Sequence, residues 1–184
     1  GYAMHLINHI IIFDSYDNTW QKLLDFSGEK QRADGCAVAV PSDTGDTVIV
    51  SGGEAVKTSP AVIGNKTKRF KTCSILHFIP DLGLSLTANQ CTLNQIPYEH
   101  SATLHPGSGI IYYFGGRNHD SKGYVTVASL RWEFIFDTKK MMWGQNNYTA
   151  SAGSQLPSGR NGQTTVLVPG SQHIIMYGGH NDLE

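Results

Sequence analysis

No apolar stretch in this chain approaches the roughly 18 residues of a membrane-spanning helix. The longest, Ile10–Phe13 and Ile110–Phe114, have the length of strands. Charge of one sign is missing too: 14 Lys and Arg stand against 15 Asp and Glu, a net charge of −1. That balance argues against a protein that coats nucleic acid. Helical signal is equally scarce. "TWQKLLDF" is the nearest approach to a 3.6-residue apolar period, and it is too short to stand as a capped helix. Cysteine is limited to Cys36, Cys73 and Cys91, an odd number without CxxC spacing. A dense disulfide framework or a zinc site is therefore not expected. The three read as small buried apolar residues; in a secreted chain Cys73 and Cys91 could instead form a disulfide. Neither an initiator Met nor a signal peptide opens the chain, which begins on what reads as a strand. It is read as a segment of something longer.

What the chain does have is 40% hydrophobic residues across 184, enough for a globular core rather than disorder. It also has 20 glycines, and some of them recur as pairs. "TVIVSGG" starts at Thr47, "IIYYFGG" at Ile110 and "HIIMYGG" at His173, so the pairs Gly52-Gly53, Gly115-Gly116 and Gly178-Gly179 are spaced by 63 residues. Each run follows a ten-residue phrase that closes on proline: "RADGCAVAVP" from Arg32, "PYEHSATLHP" from Pro97 and "RNGQTTVLVP" from Arg160. A third phrase, "FDSYDNTW" and "FDTKKMMW", sets Trp20 and Trp143 six residues after Asp14 and Asp137. Self-similarity at a fixed period points to a repeat architecture.

The runs are short, rich in β-branched and aromatic residues and bounded by Gly, Pro, Ser or Asp, which predicts strands and an all-β chain. Each repeat supplies four. In the middle of the chain strand A is expected near 100–105, B at 110–114, C near 126–136 and D at 142–148. The A–B turns "PGSG" and "PGSQ" have hairpin chemistry. Four-stranded antiparallel units repeated about an axis are propeller blades. The glycine pairs then mark where strand B bends away and another backbone comes close, which a Cβ would obstruct. Trp20 and Trp143 are expected between adjacent sheets as apolar wedges.

Taken together, the Arg32 and Arg160 phrases, the strands ending in Gly-Gly and the aromatic-Asp followed by Trp resemble the kelch repeat. "TTVLVPGSQHIIMYGG" is similar to kelch propellers of fungal type, within the superfamily of the galactose oxidase central domain. The resemblance spans nearly the whole chain. The middle of the chain departs from it: Pro97 replaces Arg, and Ile79, Pro80 and Leu86 replace Phe, Asp and Trp. The resemblance implies a kelch-type β-propeller segment of two whole blades and two halves. Residues 1–24 supply strands C and D of a first blade, 32–92 a second blade, 97–148 a third, and 160–184 strands A and B of a fourth. Three blade-equivalents should not close a ring, so the missing blades come either from a longer chain or from a second copy.

A–B and C–D turns share one face of such a unit, and B–C and D–A loops share the other. The B–C loops are the long ones, and long loops on a rigid scaffold are where binding usually resides. Loop 54–71 sets Lys57, Lys66, Lys68, Arg69 and Lys71 against Glu54, a local positive excess suited to an acidic protein partner or simply to solvent. Arg117, Asn118, His119 and Asp120, then His180, Asn181 and Asp182, follow their glycine pairs at similar places, and grouped together they would make a polar patch. Asn65 and Asn147 head glycosylation sequons; with the family resemblance they lean towards a secretory route, the alternative being cytoplasmic.

The eight histidines do not assemble a metal motif, and His100, on strand A, reads as structural. The copper-binding Tyr/His/Cys set found in oxidases of the superfamily has no counterpart that can be matched here. No nucleophile elbow, phosphate loop or carboxylate pair stands out. The expectation is a non-catalytic protein-interaction scaffold without a cofactor. The rivals are a glycan-binding propeller, using aromatics such as Tyr124 and Tyr148, and part of a copper enzyme whose site lies outside this segment.

Overall fold

The structure, a computed structural model, describes residues 10–22, 32–43, 45–55, 70–79, 83–91, 93, 96–119 and 124–181, with the backbone alone at 55, 79 and 88–90. Among them are fourteen strands and no helix. A first hairpin pairs β1 (Ile11–Asp14) with β2 (Thr19–Lys22). A four-stranded antiparallel sheet follows, built from β3 (Arg32–Val40), β4 (Asp46–Ala55), β5 (Cys73–Ile79) and β6 (Gly83–Gln90) in chain order. The second four-stranded sheet runs β7 (Ser101–His105), β8 (Ile110–Phe114), β11 (Trp132–Asp137), β12 (Met142–Asn147). Between its second and third strands sits a small hairpin of β9 (Arg117–His119) and β10 (Val125–Val127). The chain ends on a hairpin of β13 (Asn161–Leu167) and β14 (Ile174–His180).

Two expectations need correction here. Strand C of the middle repeat is Trp132–Asp137 rather than 126–136, because Val125–Val127 folds back on Arg117–His119. The stretch 117–125 is for the same reason partly strand rather than loop. The chain spends these residues on a separate ribbon before returning to the main sheet.

The core is shared by the two large sheets. Val38, Ile49, Cys73 and Ile75 of the first pack with Ile111, Tyr113 and Phe136 of the second. Trp143 joins them: its ring lies 4.9 Å from Tyr113 and 5.1 Å from Phe136, and its Nε1 donates to the Cys91 carbonyl of the neighbouring unit (2.6 Å). It is the expected wedge. Trp20 is not; it is 68% exposed and meets Phe13 at 4.8 Å. Of the alternatives for the cysteines, Cys73 and Cys91 are bonded to each other, and Cys36 is free.

Strand β7 lies against β3 on one side and β13 on the other, so the first strands of three successive units neighbour one another. A backbone ladder follows this line. Glu99 N donates to Asp34 O (3.1 Å), and Gly162 N donates to Glu99 O (3.1 Å). The three residues stand two places after Arg32, Pro97 and Arg160, and all have positive φ: 57°, 54° and 67°.

The glycine pairs govern how units meet. All six have φ between 62° and 90°, a region that L-residues seldom enter. A Cβ on Gly52 would lie 2.7 Å from the Pro97 carbonyl, 45 residues on. One on Gly115 would run into the Arg160 carbonyl, again 45 residues on, and lie 2.6 Å from Gln163 Nε2. The first glycine thus receives the next unit. A Cβ on the second would instead meet the start of its own unit, as one on Gly116 would at Tyr98 O (2.6 Å). The arginines serve the same bend: Arg32 Nη1 donates to Gly52 O (3.0 Å) and Arg160 Nη1 to Gly178 O (3.3 Å). Asp14 and Asp137 make matching turns, each accepting two backbone N–H groups from residues two and three places on.

Gly115→Ala should therefore cost far more than Gly170→Ala. Both have positive φ, but an added Cβ at Gly170 meets nothing within 4 Å. Strain alone predicts a loss of about 1 kcal/mol at Gly170, with at least about 2 kcal/mol more at Gly115 from the collision. Denaturant melts of the two variants compare them directly, and equal losses would contradict the close-approach reading.

Candidate functional site

Where the chain leaves the glycine pairs, side chains from successive repeats come together. Arg117 Nε pairs with Glu99 Oε2 at 3.0 Å. Its Nη2 lies 3.2 Å from His180 Nε2, a residue 63 places away and therefore the same position one repeat on. The backbone of Arg117 is fixed as well, exchanging hydrogen bonds with Tyr98 (2.8 and 3.2 Å). His119 sits on β9 with its ring 6.1 Å from Tyr98. Asn161 Nδ2 donates to His180 O (3.2 Å), which holds the end of β14 over the start of β13. The strand ends thus set a guanidinium, a carboxylate and two imidazoles on one rim.

The structure brings Arg117 and His180 into contact and places Asn118, His119 and Asn181 beside them in sequence, all half-buried except the exposed His180. Lys71 is exposed. Lys57, Lys66, Lys68, Arg69, Asp120, Asp182 and Asn65 lie outside the described residues. Asn147 is exposed and closes strand β12 opposite Trp132. Glu99 and Tyr98 were not singled out from the sequence. The signal for Glu99 was available: it holds the same place after Pro97 as Asp34 does after Arg32.

Beneath the rim lies a buried polar layer. Gln163 Nε2 donates to Phe114 O (2.6 Å) and Ser101 Oγ (3.2 Å), tying β13 to the second large sheet. Thr103 Oγ1 donates to Thr165 Oγ1 (2.8 Å) across the same junction. Glu133, 4% exposed, accepts the Gly115 N–H (3.3 Å). Burial pushes its carboxyl up to about 8, against a smaller opposing effect of that N–H. His100 is buried beside Tyr113 (5.4 Å), between the two glycine pairs, and burial lowers it to about 4. It is a packing residue, as the repeat implies. No group of three or more His, Cys, Asp and Glu suited to a metal ion occurs among the described residues.

On the turn side, a cleft of about 320 Å³ opens between β8 and β14, lined by His105, Ser108, Tyr112, Phe114, Tyr148 and Ile174 among others. Tyr112 and Tyr148 each stack on Phe114 with ring centres 6.4 Å apart. Tyr148 is therefore half-buried in this row, whereas Tyr124, which does not line the cleft's named wall, is 69% exposed. The A–B and C–D turns adjoin one another, with Thr138 N and Oγ1 both donating to Gly109 O (3.0 and 2.7 Å).

No protein-family model matches the chain, and no curated protein is similar to it at a significant level. Among solved structures the chain is similar to that of YjhT, with a TM-score of 0.59 at 12% identity over 94% of its own length. It spans 45% of the length of that protein. The likeness is one of fold.

The buried carboxyl predicts a pH dependence. An unfolded Glu133 loses its proton near the ordinary 4.5, whereas the folded one keeps it until about 8. Its contribution is whole below 4.5 and falls away as pH rises through 8. His100 acts oppositely, its contribution being lost as pH falls from 6.5 through about 4. Of these two groups only Glu133 changes between pH 6.5 and 8, where stability should fall by about 2 kcal/mol. Denaturant melts of Glu133→Gln should lack that slope; an unchanged slope would assign it elsewhere.

Proposed function

We propose that the chain is a kelch-type β-propeller segment that works without catalysis, as a protein-interaction scaffold presenting the loops that leave its glycine pairs. The observation that supports this most is the contact between Arg117 and His180, one repeat apart and joined by Glu99. Equivalent positions of separate repeats contribute to one rim, which is what a composite recognition surface requires. The two four-stranded meanders with neighbouring first strands agree with a blade arrangement, as does the likeness in fold over 94% of the chain.

The mechanism is recognition by a rigid frame. The strands and glycine junctions hold the loop roots, and the loops supply chemistry. The basic stretch 54–71, whose first two residues close β4 instead of lying in a loop, would steer an acidic partner towards that rim, an effect that salt screens. The fold alone does not carry this reading, since one fold hosts many functions.

Reversing Lys66, Lys68 and Arg69 to Glu should weaken capture of an acidic protein partner by tenfold or more, about 1.4 kcal/mol. Reversing Lys139 and Lys140, in the turn on the opposite side, should leave it unchanged. Affinity capture with a melt of each variant reads both, and equal effects of the two reversals would overturn the loop-face reading.

A glycan is the second reading, favoured by the row Tyr112–Phe114–Tyr148 in a cleft that also offers His105 and Ser108. Aromatic faces stack on the apolar faces of sugar rings. A glycan array probed with the native chain and with Phe114→Ala separates the two: signal lost on substitution would support the sugar site, and no signal from the native chain would remove it.

A further inference from the structure

We infer that Asn147 is an N-glycosylation site, and that the first sugar of its glycan packs on the exposed indole of Trp132. The inference rests on a sequon, on its surroundings in the sheet and on the disulfide, and not on what the loops bind.

The acceptor tripeptide is Asn147-Tyr148-Thr149, with no proline at its middle place. Once the protein has folded, the carrier residue must leave room for a bulky, hydrated chain. Asn147 and Thr149 are both exposed, while Tyr148 between them stacks on Phe114. Asn147 is the last residue of β12, which forms an edge of its sheet, three strands from β7. At the usual strand spacing that is about 14 Å from the line along which successive units meet. A glycan on this edge stands clear of that line.

The neighbouring strand supplies a second observation. Asn147 faces Trp132 directly across the β11–β12 pair. Residues so paired project from the same face of a sheet, with Cβ atoms about 5 Å apart. Phe136, on that face at the other end of β11, is fully buried, whereas Trp132 is 56% exposed. An indole left bare beside an acceptor Asn offers its flat face to the apolar face of a sugar ring. A ring joined to Asn147 Nδ2 lies within reach of it.

The third observation is the redox state of the cysteines. Cys73 and Cys91 are bonded to each other with Cα atoms 5.5 Å apart, an ordinary span for a disulfide, and Cys73 is wholly buried. Structural disulfides persist in the oxidising compartments of the secretory route and are rare in the cytosol. The disulfide and the sequon therefore call for the same compartment.

The donor is a lipid-linked oligosaccharyl diphosphate, and a membrane-bound transferase of that route supplies the catalysis. The Asn147 amide nitrogen forms a C–N bond to the anomeric carbon, and the bond from that carbon to the diphosphate oxygen breaks. The nitrogen gives up one proton, the lipid diphosphate leaves with the bonding pair, and nothing is oxidised or reduced. Carried on β12, the glycan also shields an edge that could otherwise pair with another chain.

Peptide mapping of the protein isolated from the cells that make it reads the first part. Peptide-N-glycosidase turns a glycan-bearing Asn into Asp, and the peptide holding residue 147 should show that conversion. In a eukaryotic secretory host, with Asn65→Gln removing the other sequon, Thr149→Ala should abolish the modification and Thr149→Ser should keep it. Thermal melts before and after enzymatic removal of the glycan read the second part. Removal should lower the melting temperature of the Asn65→Gln chain, and should lower it less when Trp132→Ala is added. An unmodified Asn147 in the isolated protein overturns the inference, as does a glycan that survives Thr149→Ala. No loss on removal, or an equal loss with Trp132→Ala, overturns the packing on Trp132.

Discussion

The structure depends on backbone approaching backbone where a second strand ends. At Gly52 and Gly115 the chain turns through positive φ and takes the next unit's carbonyl into the place a side chain would fill. Hydrophobic burial supplies most of the driving force for the sheets, but it is non-directional and cannot set how one sheet meets the next. The glycines do that by excluding every other residue. The rest is arranged around them: Arg32 and Arg160 donate to the carbonyls of Gly52 and Gly178, Glu133 accepts the amide of Gly115, and Gln163 reaches the carbonyl just before it.

This arrangement links packing to the rim. Arg117 follows directly on Gly116, so its position is set by the same bend that admits the next unit. His180 follows Gly179 in the same way. Their contact needs no long-range design beyond the repeat, because two equal bends one unit apart bring equal positions side by side. Charge on the rim is then balanced locally by Glu99, whose own positive φ places it in the inter-unit ladder. The buried polar layer below it is costly in principle. Gln163 and the Thr103–Thr165 pair meet that cost with hydrogen bonds across the junction, whereas Glu133 meets it by staying neutral over much of the pH range.

Much of this was legible because the repeat is written three times. The glycine pairs, the strands around them and the repeated spacing of Asp14 and Asp137 before their tryptophans follow from local chemistry that repeats in register. Elsewhere the sequence was silent for physical reasons. The β9–β10 ribbon is two three-residue strands, too short to show alternation, so strand C was drawn too long. Trp20 and Trp143 have the same local sequence signal, yet one is bare and the other half-buried against the core, since burial depends on whether a neighbouring sheet is there to receive it. Glu133 sits in an apolar strand, where nothing local says that its carboxyl meets a glycine amide just past the end of a different strand. Cys73 and Cys91 could not be told from free buried thiols by spacing alone.

The most direct measurement is amide hydrogen exchange, residue by residue, at Glu99 and Gly162. Their N–H groups bond only across the boundary between units, one to Asp34 and the other to Glu99. If the units are joined as described, both amides exchange as slowly as those of Ile111 and Phe136 in the sheet interior, because each opens only when neighbouring units part. Exchange at the rate of an open turn, with the sheet interior still protected, would mean that the units fold but do not lock, and would contradict the account at its foundation.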